Sequence, residues 1–167
     1  MFTSNCHSHR IFLPCLICGY LRLKYPLINK IEHLGIAVRS LANSNELIAK
    51  LLGVEAYKQE SVQDESVTTS FFQLGETKLE LLEAIGGEGA IGKFIEKRGE
   101  GIHHIAFDVT DIEGELSRLE DLGFELINRN PKPGADGKKI AFLHPRSTNG
   151  ILIELCEDID TKMDTRV

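Results

Sequence analysis

Alternation of bulky apolar residues with small or polar ones marks Ile31-Glu32-His33-Leu34-Gly35-Ile36-Ala37-Val38 as a strand, and Ile102-His103-His104-Ile105-Ala106-Phe107-Asp108-Val109 repeats the pattern. A histidine occupies the third place of each run, and the two lie 71 positions apart. His33, Gly35 and Ala37 share one expected face, and Leu34, Ile36 and Val38 the other. The face beside His33 therefore carries little side-chain bulk, leaving space for a ligand. In the second run His104 and Ala106 share a face, which puts His103 on the opposite one. Each run leads into a segment with helical spacing. Leu47, Ile48, Leu51 and Leu52 form the first stripe, with Ser40, Asn43 and Ser44 as cap oxygens and Gly53 as the stop. Ile112, Leu116 and Leu119 form the second, capped by Asp111 and closed by Gly123. Three strands are expected after the first helix, at 54–59, 67–74 and 78–82, with a loop at 60–66. Three more are expected after the second, at 124–128, 140–144 and 151–156, with a loop rich in Pro and Gly at 131–137. A glycine-rich break from Gly86 and a short helix near 91–97 join the halves.

The fold class that follows is α+β, built from two tandem βαβββ modules at about 29–85 and 100–157 within one domain, 29–157. Residues 1–28 fall outside the pattern as an N-terminal extension, and 158–167 read as a polar tail. A second echo supports the duplication: Lys78-Leu79-Glu80-Leu81-Leu82-Glu83 matches Leu152-Ile153-Glu154-Leu155-Cys156-Glu157 at an offset of 74. Each module thus gives one histidine and one glutamate in matching places. Singly, each has an ordinary reading, a packed histidine or a solvated carboxylate. Independent structural residues have no reason to recur at equivalent places, so His33, Glu80, His104 and Glu154 are read together as a metal site. Two imidazoles and two carboxylates suit a divalent ion with open positions. Glu83 and Glu157 recur too, and their place on the other strand face reads as solvated.

Composition narrows the setting. With 167 residues and 42% hydrophobic content, one domain with a full core is expected. A formal charge of −6 argues against a nucleic-acid partner. No run is long and apolar enough for a spanning helix, so no membrane partner is expected. Four cysteines in a chain this long favour a reducing compartment, the cytoplasm or, in a eukaryotic cell, the mitochondrial matrix. Cys6, Cys15 and Cys18 lie in the extension beside His7 and His9. One C-x-x-C without a partner pair is a weak zinc or redox signal. The extension has no acidic residue, which resembles a transit peptide. A short secretory h-region and an over-extended start remain alternatives.

The tandem module with its placed His and Glu resembles the vicinal oxygen chelate superfamily, whose glyoxalase-like domains curl into a half-barrel. Within it, residues 29–157 resemble the methylmalonyl-CoA epimerase family. The resemblance lies in Ile31–Val38, in Gly101-Ile102-His103-His104-Ile105-Ala106, and in Phe142-Leu143-His144-Pro145-Arg146-Ser147 running into Gly150-Ile151-Leu152-Ile153-Glu154-Leu155. It implies a divalent ion, cobalt or else zinc, manganese or nickel, on His33, Glu80, His104 and Glu154. It also implies loss of the C2 proton of methylmalonyl-CoA through an enolate, with Glu154 as one catalytic acid–base group, and a homodimer. Epimerisation needs a second such group. The place of a glutamate used by some relatives aligns with Thr69, which cannot act as a base, leaving Glu65 or a bound water. Lys138, Lys139, His144, Arg146 and Ser147 are the expected contacts for coenzyme A.

Two rival readings come from other classes: a glyoxalase I-like lyase using the same four-ligand site, and a metal-free small-molecule-binding module of the same fold. An extradiol dioxygenase fits less well, since it uses two His and one Glu on iron in a larger chain.

Overall fold

The computed structural model describes residues 28–159; the N-terminal cysteines and the tail from 160 fall outside the described residues. Strand β1 (Ile28–Ala37) is followed by α1 (Leu41–Leu52), β2 (Lys58–Val62), β3 (Val67–Leu74) and β4 (Thr77–Ala84). Helix α2 (Gly89–Arg98) connects to β5 (Gly101–Val109), α3 (Ile112–Asp121), β6 (Lys132–Pro133), β7 (Lys138–Leu143) and β8 (Leu152–Asp158). The order βαβββ occurs twice. All eight strands form one sheet in the order β2-β3-β4-β1-β5-β8-β7-β6. Each module pairs its first strand in parallel with its last, and the modules meet through the antiparallel β1–β5 pair.

The helices close as expected. Ser40 accepts a hydrogen bond from the Asn43 N–H, Asp111 accepts one from Gly114, and Gly53 ends α1 at φ 71°. Ile112, Leu116 and Leu119 pack on Val109, Ala141, Leu143 and Leu155 to make one core. In α1 the expected stripe splits: Ile48 and Leu52 pack around Leu41, Phe72 and Leu81, whereas Leu47 and Leu51 face outward.

Three expectations need correction. Residues 124–128 form no strand beyond the single bridge Leu126–Leu143. The Asn128 side chain accepts the Phe142 N–H that a ladder would use, and the edge pairing moves to the two-residue β6. Pro131 and Pro133 lack the N–H donors of a longer strand. The strand placed at 54–59 instead runs from Lys58 to Val62, because its pairing follows β3 back to Val67 through a turn with Ser66 at φ 52°. Glu83 and Glu157 are not solvated. The Glu157 carboxylate is buried and accepts from the Ile112 N–H at 2.9 Å, and Glu83 accepts from the Leu41 N–H at 2.5 Å. Each module thus uses the glutamate at the end of its last strand to satisfy the free N–H groups of its own helix, where the helix dipole also favours an anion.

Glu157→Ala should therefore destabilise the protein by about 1–2 kcal/mol, the cost of a lost helix cap. Denaturant unfolding checks this, and an unchanged midpoint would show the cap to be idle. Among the described residues no helix is long and apolar enough to cross a membrane.

Candidate metal centre and active-site cavity

Strand register assembles the site. Opposite residues on paired strands point to the same face of a sheet. Across β1 and β5, His33 faces Ala106 and Gly35 faces His104. Glu80 on β4 sits beside Gly35, and Glu154 on β8 sits beside Ala106. Phe71 then flanks Glu80, and Phe142 flanks Glu154. Each histidine lies over the small residue of the other module, so the space expected beside His33 is filled by a second imidazole.

The structure brings all four residues of the quartet together, each of them buried. His33 Nε2 is 2.9 Å from His104 Nε2 and 3.1 Å from Glu80 Oε2, and His104 Nε2 is 3.2 Å from Glu154 Oε2. The longer diagonals are 3.5 Å from His104 Nε2 to Glu80 and 3.9 Å from His33 Nε2 to Glu154. Donors held roughly 2.0–2.2 Å from one central ion stand roughly 3–3.5 Å from each other. Most of these separations fall in or near that range, and the chemistry of the set, two neutral-capable nitrogens and two carboxylates, fits a divalent cation. Thr69 donates to Glu80 Oε1 at 2.8 Å, and the Cys156 thiol donates to Glu154 Oε1 at 3.2 Å. Both carboxylates are thereby turned toward the centre.

Two residues near the centre escape the alternation pattern. The β1–β5 register skips Glu32 on one strand and His103 on the other. An extra residue in one strand of a pair is a β-bulge, which re-aims its side chain. Both bulged residues immediately precede a histidine of the quartet, and both line the cavity. Glu32 contacts His33 Nδ1, while His103 Nδ1 lies 3.0 Å from His104 Nδ1. The expectation that His103 lies on the far face is thus overturned by a bulge, and Glu32 was not anticipated at all. A bond to Nδ1 fixes the tautomer and leaves Nε2 free to face the centre.

Electrostatics follow from burial and partners. Burial opposes charge on Glu32, but bonds from His33 and Lys78 prevail and bring its pKa down to about 2. Burial likewise opposes charge on His33, and the bonds to Glu32 and Glu80 outweigh it, raising its pKa to about 10. Glu80 is held well below the usual carboxylate range by both histidines despite its burial. Glu154 goes the other way, raised by burial that the nearby histidines only partly offset. Burial and the charge of His104 push His103 down to about 4, so its ring is neutral.

The quartet floors a cavity of about 250 Å³, with Glu65, Lys78, Lys132 and Lys138 on its walls. The two modules touch across the mouth, where Lys132 pairs with Glu65 and Asp136 accepts from Tyr57, Lys58 and Lys78. Of the groups expected at coenzyme A, Lys138 lines this cavity, its Nζ 2.6 Å from Asp158 and 3.4 Å from Glu32. The others point elsewhere. Lys139 reaches Glu113 and Glu157 on the outer face, and Arg146 is exposed beside Glu125. His144 and Ser147 bond within their own turn: His144 Nδ1 accepts from the Arg146 N–H, and Ser147 donates to the His144 carbonyl.

Two βαβββ modules, each giving one His and one Glu to a shared buried centre, define the chelating class of this fold. The chain belongs to the glyoxalase/bleomycin resistance protein/dioxygenase superfamily, whose sequence profile matches residues 32–142. It is 44% identical over 130 residues to the uncharacterised protein YqjC of Bacillus subtilis, covering 78% of this chain and 93% of that protein. It is 38% identical over 131 residues to an ethylmalonyl-CoA/methylmalonyl-CoA epimerase of Cereibacter sphaeroides, covering 77% of this chain and 98% of that one. Among solved structures, a variant methylmalonyl-CoA epimerase of Streptomyces coelicolor in complex with 2-nitronate-propionyl-CoA superposes with a TM-score of 0.77. That pair is 31% identical, over 80% of this chain and 96% of that one.

Proposed function

We propose that this chain is a methylmalonyl-CoA epimerase, interconverting the (2R) and (2S) thioesters by moving the C2 proton. The observation that carries the reading is the convergence of His33, Glu80, His104 and Glu154 on one buried point inside a cavity. Similarity to proteins named as epimerases supports the substrate.

In this reading the quartet holds a divalent ion, cobalt or else zinc, manganese or nickel. Such an ion supplies positive charge beside the acyl oxygen and so lowers the barrier to losing the C2 proton. Glu154 takes that proton: burial raises its pKa above that of an ordinary carboxylate, which strengthens it as a base, and the Cys156 thiol keeps one of its oxygens oriented. Glu32 and His103 hold the two imidazoles in place through Nδ1. Thr69 keeps Glu80 turned inward and takes no part in proton transfer. The return proton on the opposite face needs another group. Of the remaining wall carboxylates, Glu32 is engaged by His33 and Lys78, and Asp136 accepts from three side chains. Glu65 pairs with Lys132 alone, so it takes the second role. A homodimer belongs to the same proposal, on the family resemblance.

Solvent deuterium uptake at C2 of methylmalonyl-CoA tests the chemistry. Uptake by the metal-loaded protein that a chelator stops is the expected result. No uptake despite bound metal would turn the assignment to glyoxalase-like chemistry. Glu65→Gln should leave exchange running while slowing inversion by about 100-fold or more, as for loss of a general acid–base group. Equal slowing of both would remove Glu65 from that role.

A further inference from the structure

With His144 and Ser147 bonded within their own turn, Arg146 beside Glu125 and Lys139 on the outer face, the phosphate-bearing tail of the substrate needs another anchor. A second depression, of about 270 Å³, adjoins the first and shares Ala90, His103 and Leu152 with it. Its helical wall presents Lys93, Phe94, Lys97 and Arg98, and the turn at Pro145 and Gly150 forms the other side. Lys93 and Lys97 are one helical turn apart, as are Phe94 and Arg98, so the four project as adjacent pairs along α2. The Arg98 guanidinium lies 5.9 Å from the centre of the Phe94 ring, which meets the His103 ring edge-on at 5.0 Å. Among the described residues no carboxylate pairs with these three cations. The acidic neighbour Glu100 is turned away and accepts the Arg39 N–H. Lys97 and Arg98, in the last turn of α2, also complement its dipole. That does not account for Lys93 a turn earlier, nor for a depression that runs on into the buried centre. Three unpaired cations on an acidic chain make a local anion site.

We propose that this groove binds the 3′-phosphoadenosine diphosphate tail of the coenzyme A thioester, with His103 at the junction where the pantetheine arm passes toward the quartet. The assignment rests on the epimerase reading of the adjoining cavity. Phosphates would meet Lys93, Lys97 and Arg98, and the half-buried Phe94 ring, which lines the groove, offers apolar surface to the arm or the base.

The test compares methylmalonyl-CoA with methylmalonyl-pantetheine, which lacks the phosphate-bearing tail, on the full metal-loaded chain. The wild type should favour the coenzyme A thioester. In Lys93→Ala/Lys97→Ala/Arg98→Ala the KM for that thioester should rise about tenfold or more, as expected from several modest exposed charge contacts together. The preference over the pantetheine thioester should shrink toward parity, and added salt should weaken the wild type more than the variant. Adenosine 3′,5′-bisphosphate should compete in the wild type and lose its grip in the variant, whereas inorganic phosphate at equal concentration should not compete. Lys50→Ala, on the exposed face of α1, removes the same single charge as Lys93→Ala and should keep the wild-type preference. If the triple variant folds poorly, Lys93→Ala alone should shift the preference in the same direction. An undiminished preference in either variant overturns the site. Should the wild type turn over neither thioester, the epimerase reading fails, and calorimetric binding of adenosine 3′,5′-bisphosphate to wild type and variant still decides the groove.

Discussion

His104→Ala should leave a folded protein that no longer holds a divalent ion and no longer exchanges the C2 proton. His104 touches every other part of the centre: His33 at 2.9 Å, Glu154 at 3.2 Å, Glu80 at 3.5 Å and His103 through its other nitrogen. Changing a residue that merely orients a metal ligand costs about 10–100-fold in affinity, so loss of a ligand should exceed about 100-fold. Turnover should fall by at least about 1000-fold, as for removal of a main electrostatic stabiliser. Folding should survive for a structural reason. The β1–β5 pairing, the helix caps and the core around Ile112 and Leu116 make no use of the imidazole, and the alanine would sit beside Gly35 as Ala106 sits beside His33. Removing His104 also leaves Glu80 and Glu154 with one histidine between them, so like charges at the floor are less offset. Elemental analysis, circular dichroism and C2 exchange, run on one preparation, check the three parts. Full exchange activity in the folded variant would refute the centre.

What the sequence made legible, and what it hid, divides along a physical line. Period-2 alternation and the duplicated spacing were enough to pair His33 with His104 and Glu80 with Glu154, because register is fixed once each module buries one face. The bulges were not legible. Alternation assumes that every residue flips the face, and Glu32 and His103 are, with Asn29 at the start of β1, the positions where β1 and β5 depart from that. A signal existed in hindsight: the polar residue ahead of each histidine recurs, just as the histidines do. Glu83 and Glu157 were misread for a different reason. Their face was assigned correctly, but a carboxylate on the outer face of a sheet is solvated only if no helix N-terminus lies across it. Here α1 and α3 do. The cations were hardest to place, because a lysine or arginine has no periodicity of its own. Lys138 reached the cavity, whereas Lys139, its neighbour on β7, pointed to the opposite face by the same alternation that served elsewhere.

Gly35→Ala should be nearly as damaging to activity as loss of His104, although it adds only one methyl group. A Cβ built on Gly35 would stand 2.2 Å from His104 Cε1 and 2.5 Å from both ring nitrogens, far inside contact distance. Gly35 lies in β1 with no left-handed φ, so the glycine is required because the imidazole of the other module lies directly over it. The ring meets Phe142 in a T-shaped contact, 5.9 Å between centres, and His103 at its Nδ1. It can make room only by leaving the centre. Overpacking of this kind costs about 1–3 kcal/mol, and the displaced Nε2 should lower metal affinity by more than about 100-fold. A double variant separates this account from a general intolerance at position 35. In Gly35→Ala/His104→Ala the new methyl meets no ring, so the stability lost in Gly35→Ala should be largely regained, while metal binding stays absent. The two substitutions should therefore couple strongly in a double-mutant cycle of unfolding free energies. If their effects simply added, the clash with His104 would not be what reserves position 35 for glycine. The close packing of His104 over Gly35 would then have no part in shaping the site.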